Sequence, residues 1–357
     1  MNRDFTGKRL ASVSVLVVFL CAAAINPQRV LAFVTDPALT NGTPNDPSDD
    51  LLDAARWSNV PGSLVEQGVR GLGGGIEYAV AAEVCANLIP LFIDEPRPTC
   101  DQLQQAVQRA FTRWGERHPA LRFVNLSARL HPQLPPSEAR DPWRGFGAEI
   151  DLFALSPEQY PRVRGLGAWT GFWFLFADPV GTNGRVLPGN TITSADIVLN
   201  TRSCYHLDPA LAGRGCNHFE SLVLHEIGHT LGLHHPAQSA NRNFDSDEDP
   251  SNIIPIDCQE PTRGLRLSPN IDQRAVMNSG LGQPMPVLQG LTNDDLGGRN
   301  FHYPICPSAH STSALNLDRL WWGLLAALRS AGAKFTASAT PGAPESAPAG
   351  RSPGSSR

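Results

Sequence analysis

His225, Glu226 and His229 stand in the run HEIGHTLGLHH, residues 225–235, and their types and spacing suit metal-assisted hydrolysis. Two histidines four apart on a helix lie about one turn apart on the same face, so both imidazoles can grip one ion. Glu226 follows the first ligand directly and is free to act on a water at the metal. Gly232 can adopt the positive φ that ends a helix and turns the chain. That turn would bring His235 round as a third ligand. His234 is its neighbour and competitor, and spacing favours His235. Three neutral nitrogens leave one tetrahedral position open, which is the coordination of a catalytic zinc rather than a structural one. A bare HExxH is only suggestive; Gly232 and His235 make the run specific.

The elements that must position these residues can be read in outline. Asn217 and Glu220 have capping-box spacing and predict a helix start. Phe219, Leu222, Val223, Ile227 and Leu231 give that helix apolar positions to bury. Gly228 costs it about 1 kcal/mol relative to Ala, which points to something packed closely there. Upstream, Thr99 and Gln102 form another capping box. Leu103, Ala106, Val107, Ala110, Phe111 and Trp114 then follow a helical stripe that faces a core. Gly73–Val84, Phe123–Leu126, Glu149–Leu155, Phe172–Phe176 and Asp196–Asn200 read as strands. Strands ahead of a central histidine-bearing helix fit an α+β arrangement.

The long run resembles the metzincin zinc endopeptidases, whose HExxHxxGxxH motif is followed by a methionine-containing turn. Met277 in RAVMNSG is the candidate. The chain has 3 methionines, one of them the initiator, so the choice lies between Met277 and Met285. Leu291–Pro304 (LTNDDLGGRNFHYP) is similar to the closing helix of the matrixin branch. Asp101–Ser127 resembles its first helix and following strand. The gap between His235 and Met277 is long for that branch and looks like an insertion. A PRCG-type latency motif and a structural-zinc histidine set upstream of the motif are both missing from the sequence.

The resemblance implies a twisted, mostly parallel sheet, an active-site helix and a Met-turn C-terminal subdomain. It implies one catalytic Zn2+ on His225, His229 and His235, with Glu226 as general base and then acid. It implies a protein or peptide substrate whose extended backbone pairs with an edge strand near the cleft, either Trp169–Phe176 or Ala195–Leu199. The competing reading is a zinc-stabilised extracellular binding or adhesion domain without turnover. An intact Glu226 argues against it, because a purely structural site has no use for a base.

The chain of 357 residues is 41% hydrophobic, enough to bury a sizeable core. Its net charge of −5, with no long basic stretch, gives no reason to expect a nucleic-acid partner. Arg3, Lys8 and Arg9 precede an apolar stretch, Leu10–Ile25, too short to favour a membrane span, and Val30-Leu31-Ala32 offers a cleavage site. Residues 1–32 therefore read as a secretory signal, with an uncleaved anchor as the alternative. Secretion or display at the cell surface or in a periplasm follows. Residues 33–69 read as a flexible leader, 70–310 as the catalytic domain, 311–333 as a short apolar helix and 334–357 as a disordered Ala/Pro/Ser/Gly tail. The 314–333 segment could dock on the domain or lie on a membrane surface.

Beyond the signal, Cys85, Cys100, Cys204, Cys216, Cys258 and Cys306 make an even set, which suggests three disulfides in an oxidising compartment. Short loops favour Cys85–Cys100 and Cys204–Cys216, leaving Cys258–Cys306. The alternative for Cys100 is a thiolate that blocks the metal before activation. Asp245, Asp247, Glu248 and Asp249 offer the hard oxygens that Ca2+ takes. They lack an EF-hand glycine and a closing glutamate, so a solvated acidic loop is favoured over calcium.

Overall fold

The computed structural model describes residues 54–59, 71–128, 147–175, 178–181, 184, 186–187, 189–238, 272–278 and 284–304, and the backbone alone of 34–35, 244–245 and 266–267. The strands are β1 Val34–Thr35, β2 Ala55–Trp57, β3 Ile76–Val80, β4 Phe123–Asn125, β5 Ile150–Leu155, β6 Ala168–Leu175, β7 Asn190–Asn200, β8 Tyr205–His206, β9 Asn217–His218, β10 Leu233–His234, β11 Phe244–Asp245 and β12 Arg266–Leu267. The α-helices are α1 Glu83–Leu88, α2 Cys100–Gly115, α3 Phe219–Thr230 and α4 Asn293–His302.

The fold is mixed α/β around a mostly parallel sheet. β4, β3, β5 and β7 run parallel side by side, and β2 adds in parallel to the first part of β7. β6 closes the other side of β7 in antiparallel register, from Ala168 opposite Leu199 to Leu175 opposite Thr191. Every residue of β5, IDLFAL, is buried, as parallel strands covered on both faces should be. The expected capping box at Thr99 and Gln102 is present, and all six apolar residues of the α2 stripe are buried. Phe111 on α2 stacks on Tyr78 of β3 at 3.9 Å between ring centroids.

Three expectations need correction. The run expected as one strand, Gly73–Val84, divides: β3 ends at Val80, and Glu83 and Val84 open α1. Alanines and an acidic first-turn residue favour a helix there, and alternation stops at Val80. Part of the expected leader, Ala55–Trp57, is a fully buried strand. Its tryptophan outweighs the polar composition around it, and its backbone packs too closely for a flexible segment. β6 and β7 also begin earlier than expected, at Ala168 and Asn190.

Cys85–Cys100 ties α1 to the start of α2, and Cys204–Cys216 closes the loop that carries β8 and β9. The first bridge consumes the Cys100 sulfur, which excludes the thiolate-block alternative in this state. Loops of 15 and 12 residues each contribute about 3 kcal/mol by restricting the unfolded chain. Two such bridges imply an oxidising compartment. The expected Cys258–Cys306 bridge, the signal, the acidic cluster apart from the backbone of Asp245, and residues 305–357 lie outside the described residues. Among the described residues, no helix is long and apolar enough to cross a membrane.

Candidate metal centre

The histidine-bearing helix α3 is buried almost all round. Phe219, Leu222, Val223, Leu224 and Ile227 are covered, together with His225 and Glu226. Its start differs from the expected Asn217–Glu220 box. His218 is the N-cap, and its Nδ1 accepts from the Ser221 amide. Asn217 is engaged elsewhere, its Oδ1 accepting from the Met285 amide at 2.7 Å. Glu220 instead accepts from Arg109 of α2, at 2.7 Å.

The other end of α3 is held by residues far away in sequence. Trp57 Nε1 donates to the Thr230 carbonyl at 2.9 Å, and the Tyr303 hydroxyl donates to the Leu231 carbonyl at 3.0 Å. Two of the carbonyls that a helix end leaves orphaned are thereby satisfied. Gly232 then turns the chain with φ +88°, and a Cβ there would lie 2.0 Å from the Ala55 carbonyl oxygen. Both the backbone angle and the close approach of β2 exclude a side chain. β10 follows and carries His235 back toward the helix.

The turn gathers the three expected ligands. His235 Nε2 lies 2.9 Å from Nε2 of His225 and 2.9 Å from Nε2 of His229. One nitrogen from each of the three falls within 4.8 Å of the others, so this group could hold a metal ion. His225 Nδ1 faces the Val276 carbonyl and His229 Nδ1 faces the Leu233 carbonyl, at 2.8 Å in the second case. A carbonyl only accepts, so each Nδ1 carries the proton and each Nε2 presents a lone pair. Lone pairs converging on His235 Nε2 repel unless a cation sits among them, since that nitrogen can offer at most one proton.

A tetrahedral zinc would hold its nitrogens about 3.3 Å apart. The spacings here, 2.9 Å for two pairs and at most 4.8 Å for the set, span that value. Burial, and next the neighbouring histidines, push His225 down to about 3 and His229 well below its ordinary value. Both rings therefore stay neutral, the form that binds metal.

Met277 is buried beside Gly228 of α3. A Cβ on Gly228 would sit 2.1 Å from Met277 Sδ and 2.8 Å from Trp114 Cζ2. This explains the glycine inside α3. Met285, the other candidate, sits at the helix start, where its carbonyl accepts from the His218 amide. Asp295 holds the Met277 turn from below: its carboxylate accepts from the amides of Val276 and Met277 at 2.9 and 3.0 Å and from Thr292 at the head of α4. One carboxylate thus fixes the carbonyl that orients His225.

Glu226 is buried, and burial raises its carboxyl to about 7 while a hydrogen bond from Thr170 pulls it down. That donor, Thr170 Oγ1, stands 2.6 Å from Glu226 Oε2. Thr170 lies on β6, which among the described residues pairs with β7 alone. β7 has partners on both sides. Of the two strands expected to serve as the edge, β7 is enclosed, and β6 has β7 as its one strand partner among the described residues.

The sequence alone did not single out Thr170, Asp295, Trp57 or Tyr303. Only Asp295 left a local trace, as the fourth residue of a Thr292–Asp295 capping box. Neither protein-family models nor curated proteins gave a match to this chain.

Proposed function

We propose that this protein is a secreted zinc-dependent endopeptidase of metzincin type, with His225, His229 and His235 as ligands and Glu226 as general base and acid. The observation that carries the reading is the convergence of three imidazole nitrogens next to a buried carboxylate on one helix. When bound there, zinc makes water a nucleophile near neutral pH and polarises a carbonyl oxygen.

Glu226 takes the proton from the attacking water and passes it to the amine nitrogen that leaves. An extended peptide would add to β6, which among the described residues pairs with β7 alone, as a further strand. Gly232, the Met277 turn and the two disulfides fit such a domain, and the disulfides fit secretion.

The test is casein hydrolysis by the purified protein, with and without a zinc chelator, alongside Glu226→Gln. The chelator should abolish turnover. Glu226→Gln should keep its zinc and lose activity by about a hundredfold or more. Full activity in that variant would remove Glu226 from the mechanism. Bound zinc without turnover in the wild type would favour a non-catalytic binding domain.

A further inference from the structure

We infer that Thr170 positions the Glu226 carboxylate for proton transfer, a role that rests on the proposed hydrolytic reading. β6 alternates faces, and Ala168 is buried while Thr170 contacts α3. Packing alone would be served there by Val, which has the same shape. The residue carries instead a hydroxyl aimed at a buried carboxylate.

A hydroxyl has one proton to give. Its distances are 2.6 Å to Glu226 Oε2 and 3.3 Å to the Glu226 carbonyl oxygen, so the carboxylate receives it. A separation of 2.6 Å is that of a bond to an ionised oxygen. The bond commits Oε2, fixes rotation about the last side-chain torsion, and leaves Oε1 as the oxygen that exchanges the proton. Because Thr170 lies on β6, the strand proposed to receive the peptide also orients the base.

The experiment compares Thr170→Val, Thr170→Ser and Glu226→Gln in the full-length secreted protein. It measures zinc content, kcat and KM on one quenched-fluorescence peptide. Thr170→Val should keep one zinc per chain and its KM within about twofold, while kcat falls about tenfold to a hundredfold, as expected for losing a hydrogen bond to a charged group. Thr170→Ser, which retains the hydroxyl, should recover most of kcat.

Wild-type kcat in Thr170→Val would overturn the proposal. So would a loss in which zinc falls or KM rises in step and Thr170→Ser is equally impaired, since the residue would then only pack the strand. Glu226→Gln and the wild type separate the levels. An inactive Glu226→Gln beside a fully active Thr170→Val sinks the positioning role alone; an active, zinc-loaded Glu226→Gln removes Glu226 from the mechanism and the positioning role with it; and a zinc-loaded wild type without turnover sinks the hydrolytic reading.

Discussion

At the scale of single residues, the site depends on what is small as much as on what binds. Gly228 leaves room for Met277 Sδ and the Trp114 ring against the helix that carries His225 and His229. Gly228→Ala should therefore destabilise the fold by about 1–3 kcal/mol, as overpacking does, despite alanine's better helix propensity. Thermal unfolding of Gly228→Ala, Met277→Ala and the double variant checks this. The double variant should be more stable than the sum of the single effects predicts, because the truncated methionine frees the space. Strict additivity would mean the two side chains do not meet. His225, Glu226, His229, Gly232 and His235 were legible because they share one short run with fixed spacing; Met277 was suggested only by the family resemblance and the scarcity of methionine. Thr170 and Asp295 were not, because a hydroxyl or carboxylate acting across tertiary distance leaves no periodic mark.

At the scale of elements, the sheet carries its own electrostatic cost. Asp151 on β5 sits opposite Asp196 on β7 in register, both buried. Among the described residues, neither oxygen of Asp196 has a hydrogen-bond partner. Burial raises Asp151 to about 7, and burial with the neighbouring Asp151 raises Asp196 well above its ordinary value. A raised carboxyl stabilises the fold in its protonated form. That contribution is complete below pH about 4, the unfolded value, and is lost as pH rises through about 7. Asp196→Asn should accordingly raise the unfolding temperature at pH 8 more than at pH 5. An equal shift at both values would show that ionising the buried pair does not cost the fold stability. The helical stripe of α2 and the alternation within strands gave most elements in advance. The order β4, β3, β5, β7, β6 was not readable, because register between strands distant in sequence is set by packing. α3 likewise kept its expected apolar face but took His218 as its cap, since Asn217 had a tertiary partner that no local rule reveals.

At the scale of the whole molecule, widely separated segments meet at the end of one helix. Trp57, Tyr303 and the backbone of Ala55 close around Leu231 and Gly232, while Asp295 secures the turn that orients His225. The placing of His235, the third residue of the candidate metal site, therefore reports on the assembly of these segments. Its neighbour in sequence, His234, is not one of the three grouped rings: its ring stacks on His235 at 5.3 Å between centroids, and its backbone pairs with β1. Elemental analysis of the purified, folded protein alongside His235→Ala and His234→Ala is the most direct measurement. One zinc per chain in the wild type and in His234→Ala, with that zinc lost from His235→Ala, is the predicted result. A folded wild type that retains no transition metal, or a His235→Ala variant that holds zinc as well as the wild type, would contradict it.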